Sequence, residues 1–313
     1  MRPPLRIGLV GCGRLAEVGY VPALRDAVDI ELAAVAEPDP SRRAQIARLG
    51  GQVPAFADAA TLVRDVPVDG LVLATPVGAH LADATTAAEA GVTVLVEKPP
   101  AADRAEALRL AALTPAPWIA FNRRFESGPQ RLRASLATDA EILIELELRY
   151  RRRGWGAHAV ADDALLDLGP HLIDLARWLA SAEITQVRQA SVAPDRAAFD
   201  LVVGRARARV RCATDRPHTE RIAVRQRGTV LGTHRAGGLV HAVRGRLPGG
   251  RGAHPLTASL TAQLEAFARV LRGATEPTLG RAADGVAVMA VVDAVRACAA
   301  AGGAPTAIGT EAS

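Results

Sequence analysis

The sequence predicts an α/β protein in two parts: an N-terminal doubly wound parallel sheet, then an α/β domain built on an open, largely antiparallel sheet. Three observations point there. Short apolar runs alternate with helical segments from Ile7 to Phe121, as in strands joined by crossover helices. A glycine-rich turn, Gly11 to Ala16, separates the first apolar run from the first helical segment. Beyond Phe121 come long segments of strictly alternating apolar and charged residues, the period of a sheet covered on one face only. Asn122 marks the boundary, giving domains of residues 1–122 and 123–313.

In chain order, Ile7 to Val10 is a short strand, and Gly11-Cys12-Gly13-Arg14-Leu15-Ala16 leads into a helix running to about Ala27. This is G-x-G-x-x-A between strand and helix, a Rossmann-type dinucleotide turn. Gly11 permits the tight turn, Gly13 lets a pyrophosphate approach the backbone, and Ala16 allows close helix packing. The helix start presents N–H groups to phosphate. Gly11, Cys12, Gly13, Arg14 and Leu15 are therefore expected to contact a cofactor. A second strand, Glu31 to Ala36, ends in Glu37, 26 residues after Gly11. A carboxylate there accepts from a ribose diol and repels a 2′-phosphate, which favours NAD. Arg42 and Arg43 on the next helix keep NADP open.

Ser41 to Leu49 and Asp58 to Arg64 read as helices, Gly70 to Ala74 as a buried strand, and Thr75-Pro76-Val77-Gly78 as a turn before the helix Ala79 to Ala90. The strand Val92 to Val96 runs into Glu97-Lys98-Pro99. Lys98 is the single lysine among 38 Lys and Arg residues. A bias toward arginine explains the other 37 (38 less one). It does not explain the position that stayed lysine. An ammonium offers a compact point charge to one oxygen and can deprotonate; a guanidinium does neither. Lys98 sits at the carboxyl end of a parallel strand, where catalytic groups of such sheets gather, and Pro99 denies the strand a continuation. A helix from about Ala101 to Leu113 and a strand Trp118 to Phe121 complete the first part.

In the second part, Glu141 to Tyr150 places Ile142, Ile144, Leu146 and Leu148 on one face and Glu145, Glu147 and Arg149 on the other. Arg205 to Ala213 places four arginines on one face in the same way, and Thr219 to Gln226 is a third strand. Leu165 to Ala180 and Leu256 to Leu271 have helical period and are expected to cover the apolar side. A last helix, Ala282 to Ala300, ends at Gly302-Gly303, and Gly237 to Pro255 reads as a loop.

Composition narrows the function classes. Net charge is +5, yet the arginines are interleaved with acids and no basic block is flanked by stacking aromatics, so no nucleic-acid partner is expected. No apolar run has the length of a membrane span, and no signal-peptide pattern opens the chain. The three cysteines, Cys12, Cys212 and Cys298, lack metal-ligand spacing, so no metal is expected and a reducing cytoplasm is the expected compartment.

The second part carries Asp167-Leu168-Gly169-Pro170-His171-Leu172-Ile173-Asp174. If this is helical, Asp167, His171 and Asp174 share one face, with Pro170 expected to start or kink the helix. Two readings stand: acids at the positive end of a helix beside a partly buried histidine, or a histidine whose tautomer is fixed by a carboxylate, a candidate base near neutral pH.

With these motifs in hand, the chain resembles the GFO/IDH/MocA oxidoreductase family of glucose-fructose oxidoreductase, inositol dehydrogenase and relatives. The resemblance rests on Gly11 to Ala16, Ala34 to Pro40, Ala74-Thr75-Pro76 with His80, Glu97-Lys98-Pro99, Asn122 to Phe125, Asp167-x-Gly169-x-His171-x-x-Asp174, and Gln263 to Phe267 with Asp284-Gly285. It implies hydride transfer between a nicotinamide and a hydroxyl-bearing carbon of a sugar, cyclitol or similar polyol. Lys98 would hold the substrate oxygen, His171 would move the hydroxyl proton, and Asp167 would orient His171 or bind a neighbouring hydroxyl. Thr75, Pro76, His80 and Glu97 would join the cofactor site. A homodimer or higher homo-oligomer is also implied. Imine reduction and redox-assisted elimination or hydrolysis occur on the same fold, and a nucleotide sensor without catalysis is the reading from another class.

The chain departs from the family in carrying Asp162-Asp163-Ala164 where relatives often have a glycine run, and in short segments between Arg177 and Pro255. Arg151, Arg153, Trp155 and His158 lie where relatives place substrate contacts, which suggests an anionic or nucleotide-linked sugar: arginine for the anion, Trp155 stacking on a sugar face. Arg124 is read as a substrate or cofactor contact, or as a structural ion pair.

Overall fold

The computed structural model describes residues 3–137, 141–152, 162–237 and 255–309. The chain forms two compact units, Met1–Phe125 with Ala253–Val286, and Glu126–Gly252 with Ala287–Ser313.

The first unit is the expected doubly wound sheet. Its strands are β1 (Leu5–Val10), β2 (Ile30–Ala36), β3 (Ala55–Phe56), β4 (Gly70–Leu73), β5 (Thr93–Glu97) and β6 (Trp118–Ala120). They lie in the order β3-β2-β1-β4-β5-β6, all parallel, with a two-residue strand, Gly280–Arg281, added antiparallel to β6. This is the Rossmann strand order, reversing between β1 and β4, where ligands of such sheets bind. β4, and β1 from Ile7 onward, are apolar because both faces are covered there: Ile7, Leu9, Leu71, Val72 and Leu73 are fully buried.

The connecting helices begin where side chains cap them. Asp39 accepts from the Ser41 and Arg42 N–H groups at the start of α2 (Pro40–Leu49), and Asp58 caps α3 (Ala59–Asp65). α4 spans Val77–Glu89. Asp103 caps α5 (Arg104–Ala111), and the Glu106 carboxylate returns to the Ala102 N–H. The first crossover differs: Ala16–Tyr20 forms a π-helical turn before α1 (Val21–Asp26).

The second unit holds β7 (Leu143–Arg151), β8 (Ile184–Ala193), β9 (Arg196–Val203), β10 (Ala206–Ala213), β11 (Asp215–Gln226) and β12 (Thr229–Gly237). The order is β12-β11-β7-β10-β9-β8, with Thr306–Ala307 paired to β8. β7 and β10 are parallel and the other pairs antiparallel. Ile144, Leu146, Leu148, Ala208, Val210 and Cys212 form the buried face, against which α7 (Ala164–Ala180) packs. Between Ser127 and Ser135 lies α6.

Four expectations are corrected here. The helix α8 (Pro255–Leu271) belongs to the first unit, so a single boundary after residue 122 is replaced by a chain that returns. Leu260, Leu264 and Phe267 enter the same core as Ile7, Tyr20 and Leu24, whereas sequence period alone left α8 over the second sheet. Asn122–Phe125, which the resemblance likens to a domain-crossing strand, is a 3₁₀ turn. β8, β9 and β12 are additional strands; a positive φ at Gln189 and a bulge between Arg188 and Ser191 interrupt the alternation that would reveal β8. Finally, α7 starts at Ala164, capped by Asp163, and carries Pro170 inside it. The last helix, α9, spans Ala282–Ala300. Among the described residues no helix is long and apolar enough to cross a membrane. The three cysteines are buried and free.

Candidate active site

The cofactor turn follows β1. Gly11 has φ +91°, and a Cβ there would lie 2.6 Å from the Ala74 carbonyl, so both conformation and the closeness of the β4 end require glycine. A Cβ on Gly13 would meet nothing within 4 Å; this side of the turn has the open space a pyrophosphate needs. Arg14 and Leu15 open the helix beyond. The Arg14 guanidinium pairs with Glu17 at 2.9 Å, and Leu15 packs on the core.

Glu37 closes the site from β2. Its Oε2 accepts from the Cys12 N–H at 2.8 Å and its Oε1 from the Asp39 N–H at 3.1 Å. The acid expected to read the ribose is therefore also tied to the cofactor turn. Burial, with the Glu37 charge beside it, pushes the Cys12 thiol up to about 12, so it stays protonated. The Arg43 guanidinium donates to the Glu37 and Pro38 carbonyls at 2.5 and 3.2 Å and serves the β2–α2 turn. Arg42 remains half-buried on the first turn of α2. A carboxylate at the strand end and open space at Gly13 together fit a dinucleotide.

At the β4 end, the Thr75 hydroxyl donates to Asp83 at 3.0 Å, and Pro76 precedes α4. His80 is 1% exposed, with its ring Nε2 2.9 Å from the Thr75 carbonyl. Burial lowers its pKa, against the main-chain carbonyls around it. His80 therefore braces the turn from beneath and has no surface for a ligand, which corrects its expected cofactor contact.

Glu97 is corrected in the same sense. It is 6% exposed; its Oε1 accepts from the Tyr20 hydroxyl at 2.5 Å and its Oε2 from the Lys98 N–H at 3.0 Å. Both oxygens turn inward, while Lys98 on the next residue is partly exposed at the end of β5. Arg124 resolves to the structural alternative. At 4% exposure, it pairs with Asp284 at 3.3 Å and lies over the Phe121 ring.

In the second unit, α7 presents Asp167, His171 and Asp174, all buried, at the one-face spacing. Asp167 accepts from the Tyr150 hydroxyl and, at 3.0 Å, from Arg152. These two residues stand on either side of Arg151, the last residue of β7, which is exposed. Burial and the adjacent carboxylate raise the Tyr150 pKa, so its hydroxyl stays protonated and donates to Asp167. Arg152 also lines a cavity of about 470 Å³ with Asp162, Asp163 and Pro194. Arg153, Trp155 and His158 lie outside the described residues.

Tyr20, Tyr150 and Arg152 are the members sequence reasoning missed. One composition signal was available: the chain has two tyrosines, and each donates to a carboxylate of a chemistry-bearing motif.

Comparison with known proteins adds to this geometry. Residues 5–116 match the model of an oxidoreductase family with an NAD-binding Rossmann fold, GFO/IDH/MocA. The chain is similar to inositol 2-dehydrogenase 1 of Saccharopolyspora erythraea, 33% identical over 193 residues covering 58% of this chain and 56% of that protein. It is also similar to the rhizopine catabolism protein MocA of Rhizobium meliloti, 29% identical over 195 residues covering 59% and 60%. The matches thus span less than two thirds of these relatives. In fold, it resembles the scyllo-inositol dehydrogenase of Lactobacillus casei with bound NAD(H) and scyllo-inositol, with a TM-score of 0.80, 16% identity, and coverage of 97% and 99%.

Proposed function

As residues 5–116 match the GFO/IDH/MocA oxidoreductase family with its NAD-binding Rossmann fold, we propose that the chain is a member of that family and an NAD-dependent dehydrogenase or ketoreductase acting on a CH–OH group of a cyclitol, sugar or similar polyol. The observation that carries this is Lys98, the single lysine, at the carboxyl end of β5 in a unit whose cofactor turn ends on the carboxylate of Glu37. Inositol dehydrogenases among the similar proteins support the substrate class.

A bound nicotinamide dinucleotide supplies the hydride acceptor or donor. Glu37 accepts from the ribose diol, and the main chain at Gly13 leaves room for the pyrophosphate. Lys98 places a compact positive charge on the substrate oxygen, which favours the alkoxide as charge develops. His171 takes the hydroxyl proton in oxidation and returns it in reduction. Asp167, held by Tyr150 and Arg152, fixes the setting of His171 from the preceding turn of α7. The working assembly is a homo-oligomer of this chain, and the working compartment is the cytoplasm.

Calorimetric titration with NAD⁺, NADH, NADP⁺ and NADPH tests the cofactor. Tighter binding of the non-phosphorylated pair, by about tenfold or more as a lost hydrogen bond to a charged group predicts, is the expected result. Preference for the phosphorylated pair overturns the role of Glu37. A polyol panel with NAD⁺, myo- and scyllo-inositol included, then tests the reaction: Lys98→Ala and His171→Ala are each expected to lower turnover by about 10²–10⁴-fold, and turnover unchanged in both sinks the assignment.

A further inference from the structure

We propose that Tyr20 and Glu97 act as a positioning pair that sets Lys98, linking the helix after the cofactor turn to the residue that meets the substrate. The proposal rests on the role given to Lys98 above.

The geometry forms one relay inside the first unit. The Tyr20 hydroxyl donates to Glu97 Oε1 at 2.5 Å, and the other oxygen of the same carboxylate accepts the Lys98 N–H at 3.0 Å. Tyr20 is fully buried. It is also the last residue of the π-helical turn Ala16–Tyr20, and such turns recur at functional positions. Gly19 lets α8 approach this turn: a Cβ there would stand 2.8 Å from Leu260 Cδ1. One helical turn further along α8, the carboxamide of Gln263, 0% exposed, adjoins the Tyr20 hydroxyl without closing a well-formed hydrogen bond.

A purely structural tie between the π-helical turn and β5 does not call for a charge. Burying a carboxylate is costly even when it is hydrogen-bonded. Burial pushes the Glu97 carboxyl up, and the Lys98 charge and the Tyr20 hydroxyl pull it back. A carboxylate that accepts the Lys98 N–H also fixes the main chain from which that side chain springs. Tyr20 holds that carboxylate in place, so the presentation of Lys98 depends on an oxygen 78 positions away in sequence (98 less 20).

The single lysine makes the test direct. After reductive ¹³C-methylation, the full-length protein gives one side-chain amine signal beside that of the N-terminus, assigned by its loss in Lys98→Arg. Tyr20→Phe removes one oxygen and keeps the ring in its packing; Glu97→Gln keeps the shape and removes the charge. Both are expected to displace the Lys98 signal at fixed pH. With the best substrate of the polyol panel, Tyr20→Phe is expected to lower kcat about 10–100-fold with KM changed less than about threefold, the scale of a misplaced catalytic group. An unmoved Lys98 signal in Tyr20→Phe, whatever happens to the melting temperature, makes the pair structural only and overturns the proposal. Should Glu97→Gln fail to fold, Tyr20→Phe alone decides. The spectroscopic arm needs no substrate, so a panel without turnover counts against the proposed reaction and leaves the positioning pair to be judged on the signal.

Discussion

Glu37 does two things with one carboxylate. Its bonds to the Cys12 and Asp39 N–H groups tie the cofactor turn to the end of β2, and its position suits a ribose diol. Glu37→Ala leaves a buried N–H at Cys12 without its acceptor, which costs about 1–3 kcal/mol. The variant is therefore expected to lose about that much stability in urea and to bind NADH about tenfold more weakly or worse; unchanged stability would show that the turn holds without the tie. Glu37 and Lys98 were legible in the sequence, because each sits at a fixed offset from a strand end. Tyr20, Tyr150 and Arg152 were not. Their partners lie 77, 17 and 15 positions away, and spacing along one element carries no information on such pairs. Glu97, His80 and Arg124 show the converse. Their motifs carry no signal of burial, and only burial shows that they face inward and support the residues beside them.

At the level of elements, most helices and the Rossmann strands fall within a few residues of their expected limits, since glycine turns, aspartate caps and apolar runs are local signals. What an amphipathic helix covers is not local. The α8 limits differ from expectation by one residue at the start, yet its apolar face packs on the first unit. Phe267 and Leu264 are fully buried there. Phe267→Ala is expected to destabilise the first unit by about 3–5 kcal/mol, read by urea denaturation together with a loss of cofactor binding. Cofactor binding kept at full affinity alongside that loss would show that α8 does not support the cofactor turn. The second sheet contains a further unlocal feature. Glu126, Glu220 and His234 bring their polar atoms within 4.8 Å of one another, joining the residue before α6 to β11 and β12. No periodicity could have announced it.

Across the whole chain, the charged face of the second sheet is the feature the alternation did announce. Arg225 meets Glu145 at 2.9 Å, and Arg209 faces Asp200 at 3.9 Å. Such pairs suit a solvated surface with modest energies. The hydrogen bond from Arg225 holds the Glu145 carboxyl below its ordinary value of 4.5. In that situation the unfolded chain takes up the proton first as pH falls. The stability Glu145 contributes is thus present above about pH 4.5 and is lost as pH drops through its lowered folded value. Arg225→Gln is expected to flatten the acid limb of a denaturation-midpoint curve below about pH 4.5 and to leave its shape near neutrality unchanged; an identical acid limb would remove Glu145 from the account.

The return of α8 to the first unit also has a consequence for synthesis on the ribosome. Residues 1–125 emerge with six strands of their sheet but without the helix that covers Tyr20, Leu24 and Ile7. The intervening 129 residues, 126 to 254 inclusive, take roughly 6–26 s to translate at about 5–20 residues per second. During that interval the nascent sheet keeps an apolar flank open, a client surface for chaperones. The sheet that is synthesised first waits for a helix synthesised long after it.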